Sequence, residues 1–341
     1  MADIPAALTL DGFFDDDEAH KKTDKIIEKM EKQIAKEYRA AVKEMTAKLK
    51  EYGEKFDKKD EAMRQKMLDG EITQKQYSEW RVREIATGDR YKAMIDTLAE
   101  DMARTNDIAK STINGHMEEV YSMNRNYATY QVEKDSMIDT SYTLYNRRST
   151  EALFKNKKSL LPAPRPGTKA WQAAHDKDLR WNQQKINSSL IQGLLQGDSI
   201  PDIAKRLINV VGMNRAAAVR NARTMTTSIE NKGRDDAYED LREKGVELDT
   251  IWVSTLDDRT RHSHRMLYGE VRDENTGKYS NGLRYPGDPL GDPEEVYNCR
   301  CCETSTVKGF PIELPRWSPK MGDMTFEEWL EFKKNGKGDS N

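Results

Sequence analysis

Between residues 27 and 56, apolar side chains recur every three or four positions: Ile27, Met30, Ile34, Tyr38, Val42, Met45, Leu49, Tyr52 and Phe56. That spacing lays one apolar stripe along a long helix, with Lys and Glu over the rest of its surface. The stripe is narrow and contains Met and Tyr, which suits a helical hairpin or bundle better than a strict coiled coil. Leu68-Asp69-Gly70-Glu71-Ile72-Thr73 breaks the pattern: Gly70 can close one helix and Thr73 can cap the next. A second periodic run passes through Trp80, Ile85, Tyr91, Ile95, Leu98 and Met102, and a third through Ile108, Ile113, Met117, Val120 and Tyr121. Three prolines and a glycine in Leu161-Pro162-Ala163-Pro164-Arg165-Pro166-Gly167 exclude helix and central strand there, so a domain boundary is placed at this point.

Beyond the prolines, Trp171 to Gln196 reads as helix again. Ser199, with Pro201 and Asp202 behind it, starts a helix expected to run to about Val211, and Asn214 is a candidate cap for a separate alanine-rich helix. From Leu248 the texture becomes β-like. Residues 249–254 read as a strand, 265–298 as a long Gly-, Pro- and Asp-rich β segment, and Cys299 to Val307 as a closing strand. Thr325 and Glu328 form a capping box for a last helix.

The expected fold class is therefore α+β: an extended, mainly helical N-terminal half with a small, loop-rich α+β C-terminal domain. Its divisions are a flexible acidic arm at 1–20, a helical region at 21–160, a Pro-rich linker at 161–168, a compact domain at 169–310, and a tail with a short helix at 311–341.

Composition narrows the function classes. Charged residues make up 34% and hydrophobic ones 36% of the 341 residues, a polar balance that suits long solvated helices and surfaces meant for a partner. The formal net charge of -3 argues against simple non-specific nucleic-acid binding by the whole chain. A local basic face remains on the helix after Asn214, where Arg215, Arg220, Arg223 and Arg234 are candidate contacts to double-stranded DNA; a solvated or partner-facing surface accounts for them equally. The N-terminus has no basic-then-apolar leader, and no run approaches the roughly 18 apolar residues of a membrane span, so a membrane partner is not expected.

The chemistry gathers late in the chain. The only cysteines are Cys299, Cys301 and Cys302, an odd and clustered set that makes a poor disulfide framework. With His262 and His264 they could build a tetrahedral zinc site stapling a segment poor in core residues. C-x-C is tighter than the usual ligand spacing, and packed thiols beside hydrogen-bonded histidines account for the same residues. If a metal binds, His264, Cys299 and Cys301 are the favoured ligands, with His262 and Cys302 as further candidates. Asp257, Asp258, Arg259 and Arg261 alternate charge around a turn. They suit either a hydrolytic site with His264 as base or an ion-pair network ordering the loop. The network is preferred, because no glycine-rich phosphate loop, G-x-S-x-G or spaced carboxylate cluster accompanies them.

Taken in order, Ala222-Arg223-Thr224, Trp252 to His264, Gly269, Tyr285-Pro286-Gly287-Asp288-Pro289 and Asn298-Cys299-Arg300-Cys301 resemble the bacteriophage head morphogenesis family, the Mu F-like minor capsid proteins. The resemblance covers about residues 180–307. One departure is Cys302, a third thiol where the family motif ends in a single spaced pair. The resemblance implies a structural component of the virion, not an enzyme. It would be made in the host cytoplasm and sit in the capsid interior or at the portal vertex. Its partners would be the portal, the major capsid or scaffolding protein, and packaged DNA, and it would assist head assembly, packaging, retention or ejection. Some relatives carry fused toxin or transferase domains, so a metal-dependent nuclease or effector centred on His264 stands as the alternative.

Overall fold

The computed structural model describes residues 17–146, 149–150, 164, 166–309 and 324–335. The acidic arm falls largely outside them, as do most of the Pro-rich stretch and the tail before the last helix. The fold is mainly helical α+β. Helices α1 (Glu18–Glu54), α2 (Asp57–Leu68), α3 (Gln74–Ile85), α4 (Gly88–Ser136), α5 (Lys169–Gln196) and α6 (Ile200–Glu243) precede strand β1 (Glu247–Val253). Two short helices, α7 (His262–Met266) and α8 (Pro293–Val296), interrupt the loops before strand β2 (Cys302–Gly309), and α9 (Phe326–Asn335) closes the order.

Two compact units share these elements, and neither is continuous in sequence. One takes residues 31–112 and 163–219; the other takes 1–30, 113–162 and 220–341.

In the first unit the apolar stripes are buried as their periodicity requires: Ile34, Tyr38, Met45 and Leu49 on α1, Leu98 and Met102 on α4, Ile186 and Leu190 on α5, and Ile203 and Leu207 on α6. Thr73 caps α3 in a full capping box with Gln76. Gly197 ends α5 in the left-handed conformation that glycine adopts without steric cost (φ 77). The carbonyls left over at that end accept from buried Arg81, whose Nη1 reaches Leu194 O at 3.3 Å and Nη2 reaches Asp198 O at 2.7 Å. A chain of side-chain hydrogen bonds crosses the helices: Tyr38 Oη donates to Asn106 Oδ1 (2.6 Å), Asn106 to Asn214 (2.9 Å), and Asn214 to Asn182 (2.9 Å).

Asn214 is thus not a cap. The break expected near Val211 does not occur, and α6 runs unbroken from Ile200 to Glu243. The Asn214 amide also donates to Val210 O one turn back at 3.0 Å, and its Oδ1, the atom that a cap would turn to a free backbone N–H, accepts from Asn106 instead. The run from Trp80 to Met102 is instead divided, at Ala86 and at Gly88 (φ +80). Its second part joins the third run in one helix, α4.

The second unit holds the only sheet among the described residues, β1 antiparallel to β2, with Val253 opposite Cys302 and Ile251 opposite Thr304. Ala128 and Val132 of α4, Ala237, Tyr238 and Leu241 of α6, and Leu248 of β1 form one apolar cluster. A Cβ on Gly233 would lie 2.6 Å from Tyr121 O, so this position brings α6 and α4 closer than any side chain would permit. Beside it Arg234 is fully buried, its guanidinium donating to both carboxylate oxygens of Asp17 (2.7 and 2.9 Å) and to Asn124 Oδ1. A buried charge survives only with this kind of pairing. Near the C-terminus of α4, buried Glu133 accepts from Trp329 Nε1 (2.7 Å) and Lys333 Nζ (2.9 Å), tying α9 down.

Residues 265–298, expected as a β segment, are mostly loops that carry the end of α7, the short α8 and two isolated bridges, Ile251–Val271 and Asp273–Lys278. No helix among the described residues is long and apolar enough to cross a membrane.

Candidate functional site

The second unit builds its site on one face of α6. Thr224, Thr227 and Asn231 lie three and four residues apart and so share that face. Each grips backbone just ahead of or at the start of β2. Thr224 Oγ1 accepts from Asn298 N (2.9 Å), and Thr227 Oγ1 donates to Cys299 O (2.8 Å). Asn231 donates to Cys301 O (3.0 Å) and accepts from Glu303 N (2.9 Å). The helix thereby satisfies backbone polar groups that the two-stranded sheet leaves over. Asn298, with φ 57, supplies the left-handed turn that sends the chain from α8 into this clamp.

A second clamp comes from the charged turn after β1. Arg300 holds both carboxylate oxygens of Asp257 in a forked pair (2.6 and 2.5 Å), while Asp257 also accepts from Arg259 N (2.9 Å). The Arg300 hydrogen bonds hold the Asp257 carboxyl well below the usual carboxylate range. Thr255 Oγ1 donates to Arg300 O (2.8 Å), and Arg261 donates to the carbonyls of Glu295 (3.1 Å) and Tyr297. The alternating charges therefore work as loop ties.

Between these clamps lies an apolar pocket of Trp252, Leu267, Tyr279, Leu283 and Val296, together with Cys299 and Cys301. His264 enters it from α7, buried, with the Trp252 ring edge-on at 5.2 Å. Its Nδ1 is 3.6 Å from Cys299 Sγ and 3.3 Å from Cys301 Sγ. Its Nε2 is 2.9 Å from Glu295 Oε2, off the axis of a hydrogen bond. Cys301 N donates to Cys299 Sγ at 3.4 Å. Hydrogen bonding from the Cys299 thiol and from His264 favours the Cys301 thiolate, whereas burial pushes Cys299 up. The nitrogen and the two sulfurs converge as a set that can hold a metal ion.

His262 is not part of this set. Two residues apart on a helix point about 200° away from each other, so α7 turns His264 inward and leaves His262 exposed. Cys302 is buried on the far side of the strand, 3.9 Å from Glu230. Among the candidate DNA contacts, Arg215 and Arg220 are exposed and Arg223 is half-buried. Arg234 departs from that expectation: enclosed with Asp17, it has no face to offer a phosphate. Thr227, Asn231 and Glu295 escaped sequence reading. The first two left a faint signal, polar residues at helical spacing with Thr224, and Glu295 left none.

Residues 184–304, which include both clamps and the His-Cys cluster, match the model of the family described as Phage Mu protein F like protein. This segment belongs to the Mu F-like family. The chain is similar to minor head protein GP7 of Bacillus phage SPP1, 29% identical over 132 residues, covering 38% of this chain and 42% of that protein. It is also similar to NAD(+)–arginine ADP-ribosyltransferase EFV of Enterococcus faecalis (strain ATCC 700802 / V583), 28% identical over 150 residues, covering 43% of this chain and 31% of the enzyme. The matches thus span less than half the length of either relative. No solved structure matches the chain.

Proposed function

We propose that this chain is a minor head protein of a phage particle, an assembly component that docks on the portal and the inner capsid and helps the head to package, retain or release its DNA. The observation that carries the reading is the family match over residues 184–304 together with the similarity to an SPP1 minor head protein. The geometry agrees with a structural role. Asp257 is consumed by the pair with Arg300, and His264 is enclosed among Trp252 and two cysteines, so neither is offered to a phosphodiester. This disfavours a nuclease centred on His264. DNA contact, if it belongs to the role, falls to Arg215, Arg220 and Arg223.

The test is co-expression with the portal protein of the same phage. Joint elution in low salt is the expected result, and clean separation under the same conditions overturns the docking. A second reading has one observation behind it, the ADP-ribosyltransferase similarity, which leaves about two thirds of that enzyme unmatched. Incubation with NAD⁺ and an arginine-bearing acceptor decides it. Nicotinamide release would establish the transferase, and unchanged NAD⁺ would remove it.

A further inference from the structure

We infer that His264, Cys299 and Cys301 bind one zinc ion, which staples the loops of the Mu F-like segment to the start of β2.

Three observations carry this. The first is the spacing of the donor atoms. A tetrahedral zinc with bonds of about 2.3 Å to sulfur and 2.0–2.1 Å to nitrogen holds its nitrogen and sulfur ligands about 3.5 Å apart. The two separations here are 3.3 and 3.6 Å. Ordinary thiol–imidazole hydrogen bonding explains one such approach. It does not explain two, because Nδ1 has a single in-plane direction in which to donate or accept. A shared cation explains both.

The second observation is Glu295. A metal-bound histidine usually turns its other ring nitrogen to a carboxylate, which fixes the ring and raises its basicity. Nε2 of His264 sits 2.9 Å from Glu295 Oε2, so this carboxylate is within reach of the ring although off the axis of a hydrogen bond. The Cys301 amide directed at Cys299 Sγ adds a backbone donor to one of the sulfurs.

The third is what the segment otherwise lacks. Between Ser254 and Cys301 the described elements are one helix of 5 residues and one of 4, and two of the seven buried residues in the local apolar cluster are the cysteines themselves. A metal contributes folding free energy where a core of this size does not. Charge also balances: two thiolates and a neutral imidazole cancel the divalent ion, which a buried site requires. Two sulfurs and one imidazole select zinc over magnesium or calcium. Among the described residues no fourth His, Cys, Asp or Glu joins the set, so the protein supplies three ligands.

Metal analysis of the full chain, purified from zinc-containing medium without chelator, tests the site. About one zinc per chain is expected, retained by His262→Ala and lowered at least tenfold in His264→Ala and Cys301→Ser. Because ligand variants can lose their fold, the wild-type chain is also loaded with cobalt. Thiolate-to-cobalt charge transfer in the near ultraviolet with intense visible bands reports a tetrahedral site with sulfur ligands. The inference is overturned if the folded wild-type chain takes up neither ion at stoichiometric concentration, if it shows only weak octahedral cobalt bands, or if it is isolated metal-free with Cys299 and Cys301 joined as a disulfide.

Discussion

Two arginines on one helix show how little a residue's charge says about its role. Arg215 is exposed, whereas Arg234 is buried with Asp17, Asn124 and the Glu303 carbonyl around it. Arg234→Ala leaves the Asp17 carboxylate uncompensated in the core and is expected to cost about 3–5 kcal/mol. Arg215→Ala should fall within about 0.5 kcal/mol of wild type, as surface substitutions usually do. Urea denaturation of the two variants side by side checks the contrast. A neighbour of the same cluster makes stability pH-dependent. Burial alone would lower the pKa of His20, but Glu230, 2.8 Å away, raises it to about 8. The folded state therefore binds the proton more tightly than the unfolded chain does. This contribution, about 2 kcal/mol for a shift of that size, is complete below pH 6.5 and lost as pH rises through 8. Unfolding midpoints measured from pH 6 to 9 should fall in that window, and the His20→Gln variant should flatten the dependence.

The helices were written plainly in the chain, because burial of one stripe imposes a period on the sequence. Met30, Ile34, Tyr38, Met45, Leu49 and Tyr52 are all buried as that period requires. Thr73 and the Thr325–Glu328 pair cap their helices with the side chains expected to do so. Asn214 misled because an asparagine amide serves a helix N-terminus or its interior equally well, and only its neighbours decide which. The short α7 was invisible for a different reason: five residues are too few to show a period, and its direction comes from the ties around it. The site was half legible. Its histidine and thiols announce their chemistry by type, whereas Thr227 and Asn231 act on backbone groups far along the chain and leave no pattern of their own. Their weight can be measured. Asn231→Ala strips a donor from Cys301 O and an acceptor from Glu303 N, both buried, and should cost about 2–4 kcal/mol. Faster hydrogen exchange at the Glu303 amide would accompany the loss. Gly233→Ala should destabilise by about 1–3 kcal/mol, because the new methyl must push α4 away from its 2.6 Å approach. An unchanged melting temperature would refute that contact.

For the whole molecule, the order of the chain and the order of its compact parts differ. Each unit draws on residues before and after the proline-rich stretch. A chain divided after Pro162 is therefore expected to give two fragments that each lack part of a core. Expressed singly they should show helical circular dichroism without a cooperative unfolding transition. A sharp transition in either fragment alone would show that it folds independently. The C-terminal helix raises the same issue on a smaller scale. Glu133 is closed off from water; Thr140 donates to it from the backbone amide and the hydroxyl, while Trp329 and Lys333 supply its other hydrogen bonds and Lys333 a counter-charge. A stop codon ahead of Met324 would change no residue of α4, yet it would remove the indole and the ammonium and leave the Glu133 carboxylate with Thr140 alone and no counter-charge. A nonsense lesion at that codon would then act as a counter-ion withdrawn from the interior.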